Sequence, residues 1–532
     1  MSEEKIPLAF TDYTSGGSSR HRSIHRRDTH RTRYCCYLWI IIALMICLLI
    51  GAAVGLVIAF GKSDSSDKPL QEAFKVNNAL ETLKQLQYIA NDFDLPSRSV
   101  QSGYNKSAEY IKEQLESAGY NVTLQHFEVP VYANLAEGQA VFTAKYSDLT
   151  FTWTFLEGSE YAVMSYSGSG TADGTLQLVN GTACDEGDFT DFIAGSVALL
   201  DYSNTECSLY DKASNAVDAG ASAIVMMRDE NTASSGPPTS RIFGGGPEDT
   251  VSVPVLGSTY QLGQKLLDLI VLSQYTLEVH IETSTSVTIA TTYNVLASTT
   301  HGKEDSIIVF GSHLDSVPAG PGINDNGSGS AANLEIALAL ARNNLRPKNK
   351  VMFAFWGAEE LGLLGSIYYV DNLSDEEKES IALNLNFDMI ASPNYVRGVY
   401  NGSMADEEIR TQCETIQGLF EQRFIQKRLN YRIFPFTGRS DYGPFIDPET
   451  LIPAGGLFTG ADDVKTEEER QTYGGFANVA LDTCYHQICD TVDNIDEQVY
   501  EEMMDAAAYT LQVLMMQDDL KSYLNNNSTI TY

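Results

Sequence analysis

Two imidazoles and several carboxylates, most of them at the ends of apolar runs, are the residues of this chain best suited to chemistry. His313 stands in GSHLDS directly after the run IIVF. Asp325 follows twelve residues later, inside GINDNGSGS, a glycine-rich loop that opens a helical pattern. The next apolar run, VMFAFW, ends in GAEELG, which places Glu359 and Glu360 at the start of the following helix. ALNLNF ends at Asp388, and His486 lies in DTCYHQICDT. In open parallel sheets ligands gather at the carboxyl ends of strands. If these runs are neighbouring parallel strands, one sheet edge receives His313 and three carboxylates together.

A two-metal hydrolytic site needs nitrogen and oxygen ligands around ions about 3.5–4 Å apart, with a position left open for water. Loop-borne Asp325 is suited to bridge both ions. His313 and Asp388 complete one ion, and Glu360 and His486 complete the other. Adjacent Glu359 and Glu360 point in different directions, so Glu359 can hold the attacking water as general base while its neighbour binds metal. Asp315, two residues after His313, is placed to orient the imidazole. Each element alone has an ordinary reading: a histidine after a strand is mostly structural, paired glutamates complement a helix dipole, and an aspartate among glycines makes a turn. A phosphate-cradling loop is a poor reading of NDNGSG, which lacks the Walker lysine and the GxGxxG order. The signal is the joint order.

Positioning these residues requires a particular scaffold. From 290 onward the pattern runs strand, loop, helix, repeatedly: SIIVFGS, Ser328 to Arg342, VMFAFWG, a helix, ALNLNFD. That alternation predicts an α/β domain, a doubly wound, mostly parallel sheet with helices on both faces. A last helix carries Met504, Ala507, Leu511 and Leu514 on one side. Upstream, Leu80, Leu83, Leu86 and Ile89 mark one amphipathic helix, and Ile111, Leu115 and Ala118 mark another that stops at Gly119. A strand over Val122 to Val131 follows. Between 145 and 285, strand candidates TLQLV, SVALLDY, AIVMM and YTLEVHIET alternate with helices near Ala213–Ala219 and Leu262–Ile270, without clustered ligands. This is an inserted, non-catalytic α+β module.

The 532-residue chain carries a formal charge of −35, which excludes nucleic acid as main partner because phosphate binding needs a basic face. The charge is uneven. Seven basic and four acidic residues precede position 61, where the uncharged run Leu38–Phe60 ends. As a helix of roughly 35 Å it is long enough to cross a bilayer, and the arginine-rich flank keeps the amino terminus in the cytoplasm. The expectation is a single-pass type II membrane protein whose catalytic part lies in a lumen, vacuolar or lysosomal, or outside the cell. Cysteine usage agrees with that. Cys184 with Cys207, and Cys484 with Cys489, are close pairs suited to short disulfides in an oxidising compartment, leaving Cys413 free and buried. Cys35 and Cys36, beside the span, are open to acylation. Sequons at Asn105, Asn121, Asn180, Asn372, Asn401, Asn526 and Asn527 fit glycosylation.

GSHLDSVPAGPGINDNGSGSAANLE, FAFWGAEELGLLGS, LNLNFDMI and DTCYHQICDT together closely resemble the co-catalytic zinc aminopeptidases typified by vacuolar aminopeptidase Y and the bacterial secreted aminopeptidases. The resemblance covers about 76–500, and the 145–285 module looks like a protease-associated domain. It implies an aminopeptidase acting on peptides with a free amino terminus, with two Zn²⁺ per chain. His313, Asp325 and Asp388 would bind one zinc, and Asp325, Glu360 and His486 the other. Glu359 would be the general base and Tyr485 the oxyanion donor. Cys484 and Cys489 match a small disulfide loop of the family. GRSDYGPF, around Arg439 and Asp441, and GGLFTGA look like substrate-pocket walls. The implied organisation is a cytoplasmic tail (1–37), the transmembrane anchor (38–60), a linker (61–75), and the first part of the peptidase domain (76–144). The protease-associated domain (145–285), the main peptidase part (286–524) and a tail (525–532) follow. Asn326 also forms a sequon beside Asp325; a glycan there would block the site, so it is expected to be unmodified. Two other layouts share the anchor. Transferrin receptor, a binding protein, differs in having lost ligands, none of which is missing here. The glutamate-carboxypeptidase type generally adds a carboxyl-terminal dimerisation domain, for which little sequence remains.

Overall fold

The computed structural model describes residues 68–526 apart from 147, 233–235, 245–248 and 272–275. The basic tail, the anchor Leu38–Phe60, most of the linker and the sequon at Asn527 lie outside the described residues. Among the described residues no helix is long and apolar enough to cross a membrane.

Helices α1 (Val76–Ala90) and α2 (Tyr104–Ser117) lead into β1 (Asn121–Tyr146) and β2 (Leu149–Thr154). The module then contributes β3 (Tyr161–Val163), β4 (Gly170–Leu178), β5 (Val197–Asp201), α3 (Leu209–Asp218), β6 (Ala223–Met227), β7 (Val255–Ser258) and α4 (Tyr260–Val271). The chain returns through β8 (Thr276–Ser298) to β9 (Lys303–His313), α5 (Gly329–Arg342), β10 (Asn349–Trp356), α6 (Leu364–Asp371) and β11 (Ile381–Phe387). It ends with β12 (Gly398–Tyr400), α7 (Arg410–Lys427), β13 (Arg432–Phe434), β14 (Ala454–Phe458) and α8 (Glu497–Met515).

The strand order β13-β12-β14-β11-β9-β10-β8 forms the peptidase sheet. Its centre, β10-β9-β11-β14, is parallel, whereas β8 and β12 join antiparallel. β9 from Val309 to its end, and all of β11, are buried, as expected of parallel strands covered on both faces. Ile308, Phe310, Phe353 and Phe355 point into the core under α1, α5 and α8, while Val309, Ala354 and Trp356 face Tyr369 of α6 and Phe445. The doubly wound reading therefore holds for the sheet's centre.

Two expectations need correction. The strand foreseen over Val122–Val131 runs to Tyr146, paired with β8 from Asn121↔Ser298 to Lys145↔Thr276 with register shifts between Asn134 and Gln139. Pro130 interrupts its β-propensity but costs no ladder here, because that stretch of β1 pairs with β8 alone and has an open edge. The module boundaries near 145 and 285 thus fall at the end of one continuous strand and inside another. The paired glutamates also do not begin a helix. They sit in the turn before α6, where Ala358 and Leu363 take positive φ, and α6 starts at Leu364.

Candidate active site

Register accounts for the meeting of the strand ends. Trp356 of β10 pairs with His313 of β9, and Asn386 of β11 pairs with Gly311, so Asp388 stands level with His313. The Gly322–Ser328 turn returns Asp325 to the same edge before α5 begins. His486, with φ 57°, comes from the loop closed by the Cys484–Cys489 disulfide. The second disulfide joins Cys184 to Cys207, and Cys413 is free and buried.

At the centre is the Asp325 carboxylate. Its Oδ1 lies 3.3 Å from His313 Nε2 and its Oδ2 lies 3.1 Å from His486 Nε2. His313 Nε2 is also 3.3 Å from Asp388 Oδ1 and 3.9 Å from Glu359 Oε2. His486 Nε2 is 3.2 Å from Glu360 Oε2. Ligand atoms of His313, Glu359 and Asp388 lie within 4.8 Å of one another, as do those of Asp325, Glu360 and His486. All five residues foreseen as ligands and the foreseen base converge. His126, His280 and His301 lie outside these groups; His280 pairs with Asp173 at 2.8 Å.

The donor set fits cations. Among the described residues Asp325, Glu359, Glu360 and Asp388 have ion-pair partners only in these two imidazoles. Glu360 Oε1 is buried without a hydrogen-bond partner, a cost that coordination would remove. Protonation tells the same story. Burial opposes a proton on His313, but the Glu359 and Asp388 carboxylates outweigh it and raise its pKa. His486 is likewise resisted by burial and driven up to about 11 by Asp325 and Glu360. Burial, then the charge of Asp325, lifts Glu360 to about 7, and burial raises Glu359 well above the usual range. Four carboxylates crowd a space that two imidazolium charges only partly neutralise.

Supporting contacts fix these groups. Asp388 Oδ2 accepts from Ser440 Oγ at 2.6 Å, and Ser440 Oγ accepts from Asn386 Nδ2 at 2.8 Å. Asp490 accepts the backbone N–H groups of Asn324 (2.8 Å) and Asp325 (3.0 Å). Fully buried Arg98 donates to the carbonyls of Leu314, Pro321 and Gly322, bracing the segment between His313 and Asp325. Asp315 does more than foreseen. Its Oδ1 is 3.7 Å from His313 Nδ1, beyond hydrogen-bond length, but the carboxylate accepts the N–H of Glu359 at 3.1 Å and of Glu360 at 3.3 Å. Asn326 is fully buried and bonds Phe387, Gly329 and Met389, an environment with no room for a glycan.

A cavity of about 260 Å³ opens beside the carboxylates, lined by apolar Met389, Tyr400, Phe434 and Phe458 and by acidic Asp462 and Asp463. Arg439 lines it as foreseen. Asp441 does not: fully buried, it stands behind the wall and accepts from Ser366 Oγ at 2.6 Å. Tyr485 stacks on His486 with centroids 3.8 Å apart and also lines the cavity. Burial, reinforced by Asp325 and Glu360, raises its phenol's pKa and keeps it a donor. Arg98, Ser440 and Asp490 were not foreseen. Each acts through backbone or another side chain, and only the position of Ser440 between Arg439 and Asp441 offered a hint.

Residues 294–511 match Peptidase family M28 and residues 172–266 match the PA domain. An aminopeptidase of Pseudomonas aeruginosa is 36% identical over 461 residues, 84% of this chain and 82% of that protein. A probable leucine aminopeptidase 2 of Aspergillus fumigatus is 34% identical over 467 residues, 87% of each chain. An aminopeptidase structure from Aneurinibacillus sp. strain AM-1 superposes with a TM-score of 0.68 at 23% identity, covering 85% of this chain and 96% of that one. A zinc aminopeptidase of Bacillus subtilis gives 0.55 at 23% identity, covering 84% and 96%. These two structures share the fold.

Proposed function

The chain belongs to peptidase family M28 and carries a PA domain, and on that footing we propose that it is a membrane-anchored aminopeptidase using two zinc ions to remove the amino-terminal residue from peptides. The relatives named aminopeptidase, extending over most of both chains, support the exopeptidase activity. The observation that carries the metal stoichiometry is Asp325, whose two oxygens face two different imidazoles. His313 and Asp388 would complete one site, and Glu360 and His486 the other. Zinc there would supply Lewis acidity, lowering the pKa of water and polarising a carbonyl.

The chain's own residues do the rest. Glu359, 3.9 Å from His313 Nε2, is held close to the cluster without being its nearest oxygen, the position of a general base. It takes the proton of the attacking water and returns it to the leaving amine. Tyr485 donates to the carbonyl oxygen as negative charge builds there. The apolar cavity receives the first side chain. Asp462 and Asp463 set a negative potential that favours the ammonium end of a peptide.

Metal analysis of the purified full-length chain, run beside hydrolysis of an aminoacyl anilide panel, tests this reading. Two zinc equivalents with turnover are expected. A folded protein that takes up no metal, or one that releases residues only from the carboxyl end of peptides, would sink it. The anchor is proposed from Leu38–Phe60, and the two disulfides support a catalytic part outside the cytosol. Extraction of the protein from membranes by alkali, without detergent, would rule the anchor out.

A further inference from the structure

Arg241 belongs by sequence to the inserted module, between β6 and β7, yet its guanidinium lies against Gly362 in the turn that carries Glu359 and Glu360. A Cβ added at Gly362, whose φ of 108° already favours glycine, would overlap that guanidinium where it now lies. The neighbours of Arg241 hold it from two sides. Ile242 is fully buried in the module's core, and its N–H donates to Ser165 O at 2.9 Å. Phe243 stacks on Tyr166 at 5.0 Å and joins the apolar cluster of Ala358, Leu361 and Leu364 around the active-site turn. The guanidinium carbon is 5.5 Å from the Phe243 ring. Arg241 is nevertheless exposed and has no hydrogen bond or ion pair among the described residues.

An arginine seated against a glycine and over an aromatic ring, with its donors left open, is placed to receive a ligand. Its position limits what that ligand is. Neither Arg241 nor Gly362 belongs to the cavity wall that includes Met389, Tyr400 and Asp462. The guanidinium therefore flanks Glu359 outside the pocket assigned to the amino-terminal side chain, where the part of the peptide beyond the scissile bond would run. Burial disfavours the arginine's charge, Tyr166 and then Glu359 offset this only in part, and an anion arriving from the substrate completes the neutralisation.

We propose that Arg241 binds a carboxylate carried by the substrate beyond the scissile bond, which makes the inserted module a determinant of specificity for short or acidic peptides. This rests on the aminopeptidase reading above. The carboxylate has two sources: the terminal α-carboxylate of a short peptide, or an aspartate or glutamate side chain after the scissile bond. A planar guanidinium pairs with either in the same bidentate manner.

The test compares kcat/KM of the full-length chain for Leu-Gly-Gly, Leu-Gly-Gly-amide and Leu-Glu-Gly-amide. The wild type is expected to prefer at least one carboxylate-bearing peptide over Leu-Gly-Gly-amide, and which one identifies the source. In R241A and R241Q that preference ratio should fall by about ten- to hundredfold, the size of a lost charge-assisted pair, while R241K retains part of it. R241Q keeps the side chain's length and decides the matter if R241A misfolds. A wild type without preference, or a ratio unmoved by either variant, overturns the proposal. Activity on aminoacyl anilides reports separately on the aminopeptidase reading; a wild type inactive on anilides and peptides alike overturns both.

Discussion

The Asp315 carboxylate accepts the backbone N–H of Glu359 at 3.1 Å, tying the end of β9 to the proposed general base in the next turn. The other oxygen holds Glu360 N at 3.3 Å, so one side chain sets a ligand and the base at once. Asp315→Asn turns one acceptor into an amide donor facing an N–H. We expect metal affinity to drop about 10- to 100-fold, the usual scale for a lost partner behind a ligand, with kcat falling even at saturating metal because Glu359 shifts as well. Metal titration beside kcat at saturating zinc checks this. A kcat within twofold of wild type would show that Asp315 does not place the base.

Glu359→Gln and Glu360→Gln should separate. The first is expected to keep its zinc and lose about 10²- to 10⁴-fold in kcat, the range of a general base. The second is expected to lose metal from the site it shares with His486. Zinc content after gel filtration, set against turnover, decides, and loss of metal from Glu359→Gln would reassign Glu359 as a ligand.

Metal loading should release protons. Without a cation His486 holds its proton up to about 11, because Asp325 and Glu360 overcome the opposing effect of burial. A ligand must be deprotonated to bind, so protons compete with metal. Affinity therefore falls as pH falls, by about tenfold per unit for each proton displaced. Calorimetric zinc titration of the chelator-stripped protein at pH 8, in buffers of different ionisation enthalpy, counts those protons. A count of zero would mean that the imidazoles are already neutral.

The Cys484–Cys489 loop carries both Tyr485 and His486, and His486 takes a left-handed φ of 57°, uncommon for any residue but glycine. Opening so small a ring should cost about 2 kcal/mol by chain entropy. The larger expected effect in a Cys484→Ser/Cys489→Ser double variant is local: weaker zinc at the His486 site and lower kcat. Unchanged zinc affinity would show that packing alone holds the loop.

The convergence of the proposed ligands was legible because metal chemistry restricts residue type and parallel topology restricts place. His313, Glu360 and Asp388 each follow an apolar run, and the sheet register then aligns them. Asp441 shows the limit. The resemblance carried by GRSDYGPF suggested a pocket wall at both Arg439 and Asp441, but it does not tell which side chain faces the cavity, and Asp441 points inward to Ser366. Arg98 and Arg241 could not be read at all, since each reaches the site from a segment distant in sequence through contacts with backbone. The length of β1 was hidden by Pro130, whose effect depends on which strand edge is paired.

The β1–β8 pairing joins the module to the peptidase sheet by a two-stranded ribbon, not by hinged linkers. Its ladder slips only between Asn134 and Gln139. Displacement of the module must then bend this ribbon, most easily at that slip, and would carry Arg241 away from Gly362. The module is an arm that touches the turn carrying Glu359, and excising it between 145 and 285 would strip the second half of β1, from Asn134 on, of its β8 partners while leaving Asn121–Ala133 paired.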